Sequence, residues 1–98
     1  MVDRSALHVS CDSVDGAWRC TVTVGDDPGA TAHHVAVTPG DIRQFAPFAV
    51  TAEHLVEASF AFLLEREPRE SILREFDLPV ISRYFPEYER EIRRRVAG

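Results

Sequence analysis

From Leu7 to Val24 the chain alternates apolar and polar residues, with a break at Asp15-Gly16. A two-residue period marks strands with one buried face. Asp-Gly suits a two-residue type I′ turn, because both central residues need positive φ. Centring the turn there pairs Val14 with Ala17, Ser13 with Trp18, Cys11 with Cys20, Val9 with Val22 and Leu7 with Val24. One side of the hairpin is then Leu7, Val9, Cys11, Trp18, Cys20, Val22 and Val24. The other side is His8, Ser10, Asp12, Arg19, Thr21 and Thr23. A one-residue slip would turn the whole apolar row into water, so the register is well specified.

"GDDPGA" (residues 25–30) is a second turn signal, and "TAHHVAVT" alternates again after it. His33, Val35 and Val37 share the apolar side; Ala32, His34, Ala36 and Thr38 take the other. The expectation is a three-stranded antiparallel β-meander, about 5–13, 17–25 and 31–38, with the second strand central.

The period then lengthens. Thr38-Pro39-Gly40-Asp41 reads as a helix start, with Thr38 capping, Pro39 in the first position and Asp41 in the first turn. Pro47 limits this helix to about 39–46. Thr51 caps a longer helix, about 52–66, whose apolar stripe is Leu55, Val56, Ser59, Phe60, Phe62 and Leu63; Glu53, Glu57, Glu65 and Arg66 lie opposite. Pro68 opens a turn or helix over about 68–76. Asp77 is taken as the cap of a last helical stretch, about 78–96, which Pro86 kinks or restarts. Ile81, Phe85, Tyr88, Ile92 and Val96 step by three or four along it. The fold expected is α+β in a single domain, residues 1–98, with the helices packed on one face of the sheet.

Composition narrows the function classes. The 98 residues carry a formal net charge of −5, and all 11 cations are arginine. An acidic chain is a poor starting point for phosphate-backbone binding. No stretch approaches eighteen apolar residues, so no membrane role is expected. "MVDRSALHVS" holds no apolar signal core. The expected setting is cytoplasmic, where Cys11 and Cys20 would stay reduced and act as small core residues.

The segment "FLLEREPRESILREFDLPVISRYFPEYEREI" (residues 62–92) resembles the end of a group of small bacterial proteins, through "ESIL", "FD", "VI" and "RYFPE". The resemblance covers roughly the C-terminal third. It implies a stand-alone bacterial protein and names no substrate, cofactor or partner.

Chemistry-bearing residues are sparse. His33 and His34 are adjacent in a strand and point to opposite faces, so they cannot chelate together. His54 and Glu57 share a helix face, an arrangement that serves metals only when several such helices converge. No Gly-rich phosphate loop and no activated nucleophile is visible. No catalytic or metal residue is assigned and no cofactor is expected.

The leading expectation is a small non-catalytic protein-protein interaction or regulatory protein with a protein partner or self-association. Tyr84, Phe85, Tyr88, Ile92, Arg93, Arg94 and Arg95 form the candidate interaction residues. Strands one and three offer two open sheet edges for pairing. Two alternatives stand beside it: a nucleic-acid-associated regulator using the C-terminal arginines, and a metal-binding protein.

Overall fold

The structure is a computed structural model and describes residues 6–46 and 51–97. Asp15 and Gly16 both take positive φ, +53° and +81°, as a type I′ turn requires. The turn sets β1 (Leu7–Val14) against β2 (Ala17–Val24). Every expected cross-strand pair is present, from Val14–Ala17 through Cys11–Cys20 to Leu7–Val24. β3 (Thr31–Val37) joins β2 antiparallel, with Trp18 opposite Val37 and Val24 opposite Thr31.

The sheet has four strands rather than three. β4 (Glu75–Asp77) pairs parallel with β3, placing Glu75, Phe76 and Asp77 beside His34, Val35 and Ala36. The helix expected over 68–76 is therefore replaced by a 3-10 turn, Arg69–Ser71, and then this short strand. The reason is tertiary. The His34 N–H donates to the Arg74 carbonyl (2.8 Å) and the Leu78 N–H donates to the Ala36 carbonyl (3.0 Å). Pro79 also disfavours helical geometry at Leu78.

The helices follow their caps. In α1 (Pro39–Phe45) the Thr38 hydroxyl accepts from the Asp41 N–H at 3.1 Å, and the Asp41 carboxylate accepts from the Thr38 N–H at 3.0 Å. This reciprocal pair satisfies two otherwise orphan donors. The expected stop at Pro47 lies outside the described residues. In α2 (Ala52–Leu64) Thr51 caps the His54 N–H at 3.1 Å. All six residues of its expected stripe are buried, and Glu53, Glu57, Glu65 and Arg66 are exposed.

The single helix expected over 78–96 is two helices, α3 (Val80–Tyr84) and α4 (Tyr88–Ala97). Asp77 belongs to β4 and caps neither of them. Phe85 leaves α3 in an extended conformation, which the following Pro86 favours.

The core lies between the helices and one face of the sheet. Val22, Val37, Leu55, Phe60, Phe62 and Tyr88 have no exposed surface. The opposite sheet face is open, with His8, Ser10, Asp12, Arg19, Thr21 and His34 exposed. Among the described residues no helix is long and apolar enough to cross a membrane.

Cys11 and Cys20 form a disulfide, which corrects the expectation of two reduced core thiols. The register explains it. They are directly opposed in a non-hydrogen-bonded pair, where cross-strand side chains come closest.

Candidate protein-interaction site

Three large apolar side chains among the described residues are well exposed: Val14 (38%), Leu73 (45%) and Tyr84 (66%). Leu73 and Tyr84 border the same cleft, of about 160 Å³. A polar rim around an exposed apolar surface marks an interaction site more often than scattered single residues do. Here Glu67 and Ser71 supply polar groups beside Leu63, Phe76, Val80 and Ile81.

Each wall has a local cause. Phe76 comes from β4 and faces the helix side of the sheet, with its ring centroid 6.1 Å from that of Phe60. Val80 and Tyr84 are four apart on α3, so they lie on one side of it. Pro86 ends α3, and the Phe85 N–H closes it on the Ile81 carbonyl at 2.9 Å. Phe85 then packs edge-on against Phe62, centroids 5.8 Å apart. Phe62 is held in turn by Tyr88 at 5.4 Å and by the Arg66 guanidinium 3.6 Å above its ring. The floor is thus packed from beneath, while the lip residues Leu73 and Tyr84 stand open.

His33 anchors the lip from inside. It is fully buried, donates from Nδ1 to the Leu73 carbonyl at 2.8 Å, and accepts at Nε2 from the Thr31 hydroxyl at 2.8 Å. These bonds suit the neutral imidazole. Burial pushes its pKa below the ordinary 6.5, and the bond to Leu73 only partly opposes this. His33 is therefore a satisfied core histidine, and His34 on the opposite face is exposed, as the alternation requires.

The seven candidate residues separate into three groups. Tyr84 and Phe85 belong to the cleft. Tyr88 and Ile92 are fully buried. The Tyr88 hydroxyl lies 2.6 Å from Ser59 Oγ, and the Ser59 hydroxyl donates to the Leu55 carbonyl at 2.7 Å, so Tyr88 is the donor. Burial raises the Tyr88 pKa well above that of a free phenol.

The three arginines are engaged within the chain. Arg93 donates to the Gln44 carbonyl at 2.7 Å and sits 3.5 Å from Glu89. Arg94 pairs with Glu91, and Arg95 with Glu65 at 2.6 Å. The outer edge of β3 is taken by β4 over His34–Ala36, while β1 remains an edge.

Leu73, Phe76 and Val80 complete the cleft and were not among the candidates. The sequence reading puts Leu73 and Phe76 in a turn or helix over about 68–76 and Val80 in the helix over about 78–96, with none of them at a candidate site.

His54 and Glu57 line a second, wider concavity of about 410 Å³ with Leu7, Ala61 and Arg95. Among the described residues no group of three or more His, Cys, Asp or Glu side chains is placed to hold a metal ion. Comparison with models of protein families, with curated proteins and with solved structures finds no match.

Proposed function

We propose that this chain is a non-catalytic protein-binding module whose docking site is the cleft bordered by Leu73 and Tyr84. The observation that carries the reading is the pairing of two exposed apolar lips with a preformed aromatic floor. A preformed pocket costs little reorganisation on binding, and a deep apolar side chain is the usual anchor of such contacts. A nucleic-acid role resting on Arg93, Arg94 and Arg95 is the weaker reading. Their charges are already opposed by Glu89, Glu91 and Glu65, and breaking those pairs would offset gains at phosphates. The disulfide bears on the expected cytoplasmic setting and weighs toward an oxidising one.

The test is selection of peptides from a random displayed library on the native protein, followed by competition with a Leu73→Ser, Tyr84→Ser variant. Both positions are exposed, so the variant is expected to keep its fold, which its circular dichroism spectrum and thermal midpoint check. Enriched peptides that bind the native chain and lose the variant support the reading. A library that enriches nothing, or peptides that bind both proteins equally, overturns it.

A further inference from the structure

β4 is the last strand of the sheet, and its bonding to β3 shows which way its backbone faces. The Arg74 carbonyl and the Leu78 N–H are directed at β3. In a strand, alternate residues bond the same neighbour. Arg74, Phe76 and Leu78 therefore face β3, and Glu75 and Asp77 turn their N–H and C=O groups outward. Among the described residues no hydrogen bond reaches these four groups. An open row of this kind is a template for another strand.

Side chains sort the other way, above and below the sheet. Phe76 lies on the helix side and lines the cleft. Glu75 and Asp77 lie on the opposite, open side, and both are exposed. Residues directly opposite across two strands share a face. A strand laid along β4 would thus place the residue opposite Phe76 over the cleft. Its two neighbours would stand beside the carboxylates of Glu75 and Asp77.

Charge selects the occupant. A second copy pairing antiparallel about Phe76 would bring Glu75 against Asp77 of the other chain, like charge on like charge. The net charge of −5 opposes self-pairing further. A segment with cations at those two places meets no such cost.

We propose that the outer edge of β4 and the adjoining cleft together bind an extended segment of a partner protein. In that segment one large apolar residue is flanked on both sides by Lys or Arg. The backbone of Glu75 and Asp77 bonds the segment, the cleft takes its apolar side chain, and the two carboxylates choose its charge. This rests on the protein-binding reading and adds the partner's chemistry to it.

The probe is a synthetic peptide centred on Lys-Leu-Lys, with Glu-Leu-Glu and Lys-Ser-Lys twins. Binding is read by fluorescence anisotropy, and amide hydrogen exchange is followed residue by residue. Lys-Leu-Lys is expected to bind and to slow exchange at Glu75 and Asp77. Its affinity falls on the order of fivefold in a Glu75→Gln, Asp77→Asn variant, the scale of two rim charge pairs, and it falls with added salt. Lys-Ser-Lys loses binding because the cleft stays empty.

Equal binding of Glu-Leu-Glu, or protection along β1 in place of β4, overturns the proposal. If library selection yields cleft-dependent peptides that lack the cation–apolar–cation pattern and leave the Glu75 and Asp77 amides exchanging freely, this proposal falls and the broader reading survives. If no peptide depends on Leu73 and Tyr84, both fall.

Discussion

Arg69 grips Asp27 across forty-two positions of chain through two parallel hydrogen bonds, Nη1 to Oδ1 and Nη2 to Oδ2, each 3.0 Å. The same Nη1 reaches the Val24 carbonyl at 3.3 Å, and Nε pairs with Glu70. The fork ties the 3-10 turn to the loop between β2 and β3, and so fixes where the chain enters the lip of the cleft. It lies over Gly25, where an added Cβ would collide with the Arg69 guanidinium.

Two substitutions test this clamp. Arg69→Lys keeps the charge and loses the planar fork, so a modest fall in thermal midpoint is expected, with faster exchange at the Gly25 and Ala30 amides than in the core. Gly25→Ala meets both the guanidinium and a φ of +103°, and should cost about 1–3 kcal/mol in a urea titration. The Asp27 pKa is lowered, chiefly by its hydrogen bond from Arg69. The clamp's contribution is thus present above the ordinary carboxyl value of 3.8 and is lost as pH falls through the lower folded-state value. Native and Arg69→Lys midpoints should converge in acid; a constant gap would show that the pair is not the source.

The pH dependence near neutrality falls to His33. Its folded-state pKa is depressed by burial, so the unfolded chain takes up the proton first. Stability is full above the ordinary value of 6.5 and declines as pH falls through it toward the folded-state value. The decline should be visible in urea midpoints between neutral and mildly acid buffer. His33→Gln, which keeps polar atoms near Thr31 and Leu73, should be less stable at neutral pH but flatter across that window. A slope unchanged in the variant would show that His33 is not its source.

Tyr88 and Ser59 form a relay in the core, hydroxyl to hydroxyl to the Leu55 carbonyl. Tyr88→Phe removes one donor and should cost about 1 kcal/mol. Ser59→Ala strands the buried Tyr88 hydroxyl and should cost about 1–3 kcal/mol. The double variant should cost less than the sum, as for residues in one network. Because burial raises the Tyr88 pKa, a Tyr84→Phe protein should show no phenolate absorbance until it unfolds in alkali. A smooth rise well before unfolding would mean that Tyr88 is accessible.

The Cys11–Cys20 bridge predicts no reactive thiol in native or urea-unfolded protein, and two after reduction. The loop is short, with a separation of 9, and loop entropy puts the loss on reduction at about 2–3 kcal/mol. The reduced hairpin should still form, because Asp15-Gly16 and the apolar row hold its register without the bond. Two thiols in protein freshly isolated from its own cells would restore the reduced state expected from the sequence.

The hairpin was the most legible part of the chain. A period of two, a turn that demands positive φ and a complete sorting of faces leave one pairing open, and β1 and β2 adopt it pair by pair. The caps at Thr38 and Thr51 were equally direct, since each needs only its own side chain and an amide three residues on. The cleft was legible only at Tyr84 and Phe85. Leu73 and Phe76 follow Pro68 in a segment that reads as a turn or helix, and Val80 follows Asp77 in one that reads as a helix, so neither reading brings them beside Tyr84.

Local chemistry, then, decided what depends on neighbours in sequence: the alternation, the turn and the caps. β4 is a different case. Three residues carry too little periodicity to declare a strand, and Glu75-Phe76-Asp77 becomes one because the edge of β3 offers bonds at Arg74 and Leu78. The same distance from local control explains the bond from His33 to the Leu73 carbonyl and the cleft. Each joins groups many positions apart, and only the folded chain brings them together.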